Sequence, residues 1–240
     1  MHTGDLIAIE FTGKDTNTGK VFDTTRKEIA QKEGIFVEGR PYGPIVIVAG
    51  HHEVLPGLEK EIAQMKVGEE KHITLSPEHA FGPRTPDLVR VLPLSEFKKH
   101  NVPPVPGTVV NANDMMGRVQ SVSGGRVRVD FNPELAGKEV EYTLKIVKHY
   151  TDEKEQLVAL QEKAFPGQKV ELQKNGKTIE MTVSIRQMNA VQQRVPGFAK
   201  LVLDTLQGTE KVIVHTVFEP KDFKGTHVHE DGTMHADDAH

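Results

Sequence analysis

The sequence predicts an α+β protein: an antiparallel sheet wrapped on one short helix, a β-rich unit inserted into it, and a C-terminal αββαβ unit. Three observations predict it. Apolar residues alternate with polar ones at Ile7, Ile9 and Phe11, over Lys71–Leu75, and at Val140, Tyr142, Leu144 and Ile146, between turn residues. One stripe with helical spacing interrupts these strands: Val54, Leu58 and Ile62, widened by Leu55 and Met65. Between Phe81 and the strand at 138–148 lies a long stretch with its own strands and breakers, too apolar for a structureless loop.

Taken in order, Ile7, Ile9 and Phe11 make a strand with one buried face. Thr12-Gly13 and Asn17-Thr18-Gly19 are turn chemistry. Val21-Phe22-Asp23 is a second short strand ending in an acid, and residues 25–43 read as a polar surface excursion. Ile45-Val46-Ile47-Val48 is a continuous β-branched run and so a well-buried strand. The helix that follows has Pro56 and Gly57 among its first residues. Proline costs little there, because the early N–H groups have no helical partner. Gly57 leaves room for a close approach by a backbone or a ligand. Gly68 is the expected stop. Unpaired N–H groups at the helix start can bond a ligand carbonyl.

Residues 86–130 read as the inserted unit. Pro103-Pro104, Pro106 and Gly107 break it, and Gly124-Gly125 is the tip of a hairpin. After His149-Tyr150 the pattern resets. Leu157, Leu160 and Ala164 predict a helix closed by Pro166-Gly167. Val170 and Leu172 run to an Asn175-Gly176 turn, and Ile179, Met181, Val183 and Ile185 form the return strand. Phe198, Leu201, Val202, Thr205 and Leu206 predict a second helix, then Val212, Val214 and Phe218 a last strand. Residues 221–240 are polar and expected to be disordered.

Composition narrows the function. With 30 basic and 34 acidic residues the formal charge is −4, so no nucleic-acid partner is expected. No apolar run is long enough to span a bilayer, and no signal-peptide pattern opens the chain; we expect a cytoplasmic protein with no membrane partner. Without cysteine there is no disulfide, thiolate chemistry or Cys-based metal site. His51-His52-Glu53 reads as a solvated turn, and His227, His229, His235 and His240 as a sparse tail with no dedicated metal site. No cofactor is implied.

Five motifs in order resemble the FKBP family of peptidyl-prolyl cis/trans isomerases, in particular its SlyD-like branch and the long archaeal-type members with an extra C-terminal domain. Phe11-Thr12-Gly13 sits at the strand end, Val21-Phe22-Asp23-Thr24 carries the Phe-Asp pair, and Gly50 to Leu58 is the pocket-floor stretch. Ala80-Phe81-Gly82 is the Ala-aromatic-Gly loop, and Val129 to Gly137 resembles the return from the inserted domain. The likeness covers residues 5–148. It implies an isomerase domain in two pieces, 1–85 and 131–150, around an insert-in-flap chaperone domain at 86–130. It also implies a domain at 151–220 that pairs two copies of the chain. The implied catalytic residues are Phe22, Asp23, Leu55 and Phe81, with Leu55 acting through its N–H; the implied substrate-binding residues are Phe11, Val54, Leu58 and Tyr142. The implied partners are unfolded or proline-containing polypeptides. Two departures stand out: Leu58 where the most studied members have Trp, and Phe81 where Tyr is usual. An alternative reading is a non-catalytic holdase with a vestigial pocket.

Overall fold

The computed structural model describes residues 1–112, 115–223, 226–228 and 234–236. Strand β1 (Leu6–Asp15) is the axis of the first sheet. One edge pairs from Ile7 to Asp15 with β9 (Val140–His149). The other is shared end to end by β3 (Ile45–Val48), opposite Leu6–Ile9, and β2 (Val21–Thr24), opposite Thr12–Lys14. Strand β4 (Glu70–Leu75) completes the sheet beyond β9, and every pairing is antiparallel.

Helix α2 (Pro56–Ile62) lies on one face. Leu58 and Ile62, with Met65 just beyond, enter a core with Ile7, Ile9, Ile47, Ile73, Leu144 and Ile146. The helix ends at Ala63, before Gly68. Gly68 instead sits in a turn at φ +85° and donates to the Ile146 carbonyl. Gly57 faces protein: a Cβ there would lie 2.3 Å from the Leu75 side chain and 3.0 Å from the His79 carbonyl.

The expectation of one buried face on β1 is corrected. Leu6, Ile7, Ala8 and Ile9 are all buried. Leu6 joins Val48, and the half-buried Val46 and Tyr150, in a second core whose other members are Leu157, Leu160, Phe165, Ile179, Met181, Phe198 and Val202. The C-terminal unit therefore covers the back of the first sheet. The buried run at β3 holds for Ile47 and Val48, whereas Ile45 is exposed because it stands at the rim of a groove. The polar excursion at 25–43 contains a short helix, α1 (Lys27–Lys32), that buries Ala30.

The inserted unit is a four-stranded sheet in the order β5-β8-β7-β6. Its strands are β5 (Val89–Pro93), β6 (Val109–Ala112), β7 (Met115–Ser123) and β8 (Arg126–Asp130), with α3 (Leu94–Lys99) between β5 and β6. Phe97, Val110, Val119, Val127, Val129 and Phe131 form its own core. Gly124 and Gly125 both take positive φ at the β7–β8 tip, which a two-residue hairpin turn of this kind requires. The two chain passages that enter and leave the unit are bonded together. Thr85 N–H donates to Asn132 Oδ1 (2.8 Å), and Asn132 Nδ2 donates back to the Thr85 carbonyl (3.1 Å).

The C-terminal unit is αββααβ. Helix α4 (Glu153–Ala164) begins at Asp152, whose side chain accepts from the Glu155 N–H. Strands β10 (Glu171–Asn175) and β11 (Thr178–Ser184) are antiparallel, with Gly176-Lys177 as the turn, one residue beyond the Asn-Gly expected. Ile185 does not continue β11. Ser184 and Gln187 form a reciprocal capping box, and that starts α5 (Ile185–Val191). Helix α6 (Val195–Thr205) then returns the chain to β12 (Lys211–Val217), which pairs parallel with β11. The tail expected to be disordered contains two short paired strands, β13 (Thr226–Val228) and β14 (Met234–Ala236), with His227 opposite His235. His229 and His240 lie outside the described residues. Among the described residues, no helix is long and apolar enough to cross a membrane.

Candidate active site

A groove of ≈ 910 Å³ opens between the β1–β2 end of the first sheet and the start of α2. All eight residues named from the sequence line it: Phe11, Phe22, Asp23, Val54, Leu55, Leu58, Phe81 and Tyr142. They arrive from five places in the chain, and local structure explains how each is held.

Strand register sets the sheet side. Gly13 on β1 is opposite Tyr142 on β9 and opposite Asp23 on β2. Its missing side chain lets two rings close over the strand, since a Cβ would lie 2.7 Å from the Phe22 ring and 2.9 Å from the Tyr142 ring. Phe22 meets Tyr142 edge-on at 5.7 Å and Phe81 edge-on at 5.6 Å, and Phe11 meets Tyr142 at 5.9 Å. Edge-on contact suits the ring quadrupoles, so the four aromatics support one another as a cup. Leu58 and Tyr142 are almost wholly buried and make the floor. Phe11, Phe22, Val54, Leu55 and Phe81 stay half-buried around it.

Two buried threonines hold the Phe22-Asp23 pair in place. Between the β3 and β2 portions of β1, Phe11 N–H donates to Thr25 Oγ1 (3.0 Å) and its carbonyl accepts from Thr24 Oγ1 (3.1 Å). Thr25 N–H also donates to the Phe11 carbonyl, at 3.0 Å. These bonds clamp the end of β2 onto β1 where a regular ladder stops. Asp23 then stands at the rim, 37% exposed, with its Oδ1 accepting from Arg40 Nη2 at 2.7 Å. The Arg40 guanidinium also lies over the Tyr42 ring (5.5 Å), which stacks on Phe36 (5.3 Å).

On the opposite wall, Leu55 is extended at φ −56°, ψ 145° immediately before α2. Its carbonyl accepts from Glu59 N–H (3.0 Å); its N–H has no acceptor among the described residues. Burial, reinforced by the nearby Asp23 charge, raises the Tyr142 phenol above its ordinary pKa, so it stays a hydroxyl throughout the neutral range. Phe81 carries no hydroxyl, which leaves Tyr142 as the phenol in the groove. At the far end, Lys138 Nζ meets Asp15 Oδ2 at 2.8 Å. That bond, with the Asn17 and Thr18 N–H groups, holds the Asp15 carboxyl below the usual range against the opposing effect of burial.

Sequence reasoning did not single out Gly13, Thr25, Arg40, Ile45 or Lys138. Gly13 lay inside a quoted motif and read as turn chemistry. Ile45 fell in a β-branched run read as buried strand and Thr25 in the polar excursion, while Arg40 and Lys138 carry no local pattern; the roles of all four depend on chain segments remote in sequence.

A model described as FKBP-type peptidyl-prolyl cis-trans isomerase matches residues 1–93, and one described as FKBP26, IF domain, matches residues 90–135. A short-type peptidyl-prolyl cis-trans isomerase of Methanocaldococcus jannaschii is 36% identical over 143 residues, 60% of this chain and 90% of that protein. An FKBP-type 16 kDa peptidyl-prolyl cis-trans isomerase of Escherichia coli is 29% identical over 108 residues, 43% of this chain and 72% of that protein. A SlyD isomerase of Haemophilus influenzae is 27% identical over 125 residues, 50% of this chain and 65% of that protein. With the aromatic groove assembled and nearly the whole of the Methanocaldococcus protein matched, the chain belongs to the FKBP-type peptidyl-prolyl cis-trans isomerase family.

Proposed function

We propose that the protein accelerates cis/trans isomerisation of X–Pro bonds in unfolded or folding polypeptides, and that the groove described above is where it does so. The observation that carries this reading is the apposition of a four-ring apolar cup to the Leu55 N–H, which has no acceptor among the described residues. Amide resonance keeps the bond planar behind a barrier of roughly 18–20 kcal/mol. Water favours the charge-separated planar form over the twisted one. Proline seated against Phe22, Phe81, Leu58 and Tyr142 loses that solvent, and the barrier to twisting falls without a nucleophile or a proton relay. The Leu55 N–H anchors a substrate carbonyl while the bond turns. Asp23, fixed by the Thr24–Thr25 clamp, orients or stabilises the rotating amide.

Val91, Val105, Val109, Met116 and Val122 are exposed on the inserted unit, which suits a chaperone surface for unfolded chains; Met adapts to varied shapes. Linking such a surface to the groove raises the effective concentration of a captured proline. Val158, Leu203, Val217 and Phe218 are exposed on the C-terminal unit, in keeping with a homodimer formed there. We place the protein in the cytoplasm, with no nucleic-acid or membrane partner.

The test is cis-to-trans isomerisation of a short Phe-Pro peptide by wild type, Asp23→Ala and Phe22→Ala. We expect acceleration by the wild type and a fall in kcat/KM of about tenfold or more in each variant, equivalent to about 1.4 kcal/mol of transition-state stabilisation per decade. Unchanged rates in both variants would remove these residues from the site. A wild type that does not accelerate the peptide would favour the holdase reading.

A further inference from the structure

Building on the isomerase reading of the groove, we propose that Lys163, on the C-terminal unit, is a positioning residue that aims the Leu55 N–H. The segment His52–Leu55 forms the groove wall opposite Phe22, and it has little structure of its own. Among the described residues, no backbone N–H from His52 to Leu55 has a protein acceptor, and His52 holds φ +57°, an uncommon conformation for a non-glycine residue. Its nearest internal restraint is the Gly50 N–H, which donates to Glu59 Oε2 at 2.8 Å.

The outside restraint is Lys163. From the last turn of α4, its ammonium donates to the Val46 carbonyl (2.8 Å) and to the Glu53 carboxylate. Val46 lies on β3, which among the described residues pairs with β1 alone, so Lys163 occupies its open edge. Glu53 itself lines the groove, two residues before Leu55. The two charged side chains are only 25% and 22% exposed, so solvent screens the pair less than a surface bridge. The lysine stem stands on a rigid base: Leu157 and Leu160 of α4 share a core with Leu6 and Val48 of the first sheet. One side chain thus ties strand, groove wall and C-terminal unit together. Displacement of a binding group by about 1 Å can cost up to about 10²-fold in rate, so loosening this tie should weaken substrate anchoring before it affects the chemistry.

The experiment uses the full chain and the Phe-Pro peptide, with kcat and KM resolved for wild type, Lys163→Met, Lys163→Arg and Glu53→Gln. The Leu55 amide resonance and Tm are followed in parallel. Lys163→Met keeps the apolar stem and removes the ammonium. We expect its KM to rise about threefold to tenfold, with kcat nearly unchanged and the Leu55 amide shifted. Lys163→Arg should recover most of the KM, and Glu53→Gln should fall between. A Lys163→Met protein with wild-type KM and an unmoved Leu55 amide overturns the proposal. So does a loss of activity that follows a lowered Tm and is not recovered by arginine. An inactive wild type would instead sink the isomerase reading, and the Leu55 amide would still decide whether Lys163 positions the wall.

Discussion

Gly13 illustrates how one position without a side chain can make an aromatic site. Phe22 and Tyr142 approach from neighbouring strands on either side of β1 and meet over it. Adding one methyl would push both rings off their contacts. Gly13→Ala should cost about 1–3 kcal/mol of stability as overpacking does, and should lower kcat/KM on the short peptide more than its Tm change explains. Denaturant melts beside peptide kinetics would check both. At the other end of the groove, Asp15 offers a test against pH. Its folded-state pKa is lowered, with Lys138 the main cause. Its contribution is therefore complete above the unfolded value of about 3.9 and is lost as pH falls below it. Asp15→Asn should melt below wild type at pH 7, with the two Tm curves converging in acid. A gap that stays constant down to pH 2 would show that the ion pair is not its source.

At the scale of elements, the inserted sheet has a core of its own and joins the first sheet through two adjacent passages bonded at Thr85 and Asn132. That arrangement lets the insert be removed without opening the groove, whose lining residues all lie outside 86–130. Replacing 86–130 by a short Gly/Ser linker should leave short-peptide isomerisation within about twofold of wild type, while proline-limited refolding of a protein substrate slows at least tenfold. Peptide turnover lost along with refolding would mean that the insert also shapes the groove. Helix α2 behaves differently. It is only two turns long and has no side-chain cap, so its position comes from Leu58 and Ile62 in the core rather than from its own propensity.

At the scale of the whole molecule, the C-terminal unit is part of the isomerase body. One face of β1 and β3 packs on α2 through Ile7, Ile9 and Ile47. The opposite face packs on the C-terminal unit through Leu6 and Val48. Truncation after Tyr150 would uncover that second face. Full burial of a Leu or Val is worth about 1.5–3 kcal/mol, so the 1–150 fragment should lose several kcal/mol, bind a hydrophobic dye and tend to self-associate. Chemical denaturation and sedimentation of the fragment against the full chain would measure this. A fragment as stable and monodisperse as the full chain would mean that the shared core contributes little.

By itself, the sequence determined the alternating strands, the hairpin at Gly124-Gly125 and, through the family resemblance, eight of the residues that line the groove. Each is encoded in short-range spacing or in a motif read within about ten residues. Tertiary structure decided what spacing cannot carry. Alternation says that Leu6 lies on the face opposite Ile7 and Ile9; it does not say that a helix from beyond residue 150 covers it. Nothing local marks Lys163 among the charged residues of α4, because its partners lie 110 and 117 residues away. Ile185 continued the apolar alternation of β11, yet the Ser184 capping box satisfied the backbone as a helix and ended the strand there. Local pattern selects conformations. Which surfaces are covered, and which side chains reach across, is settled only when remote segments compete for the same face.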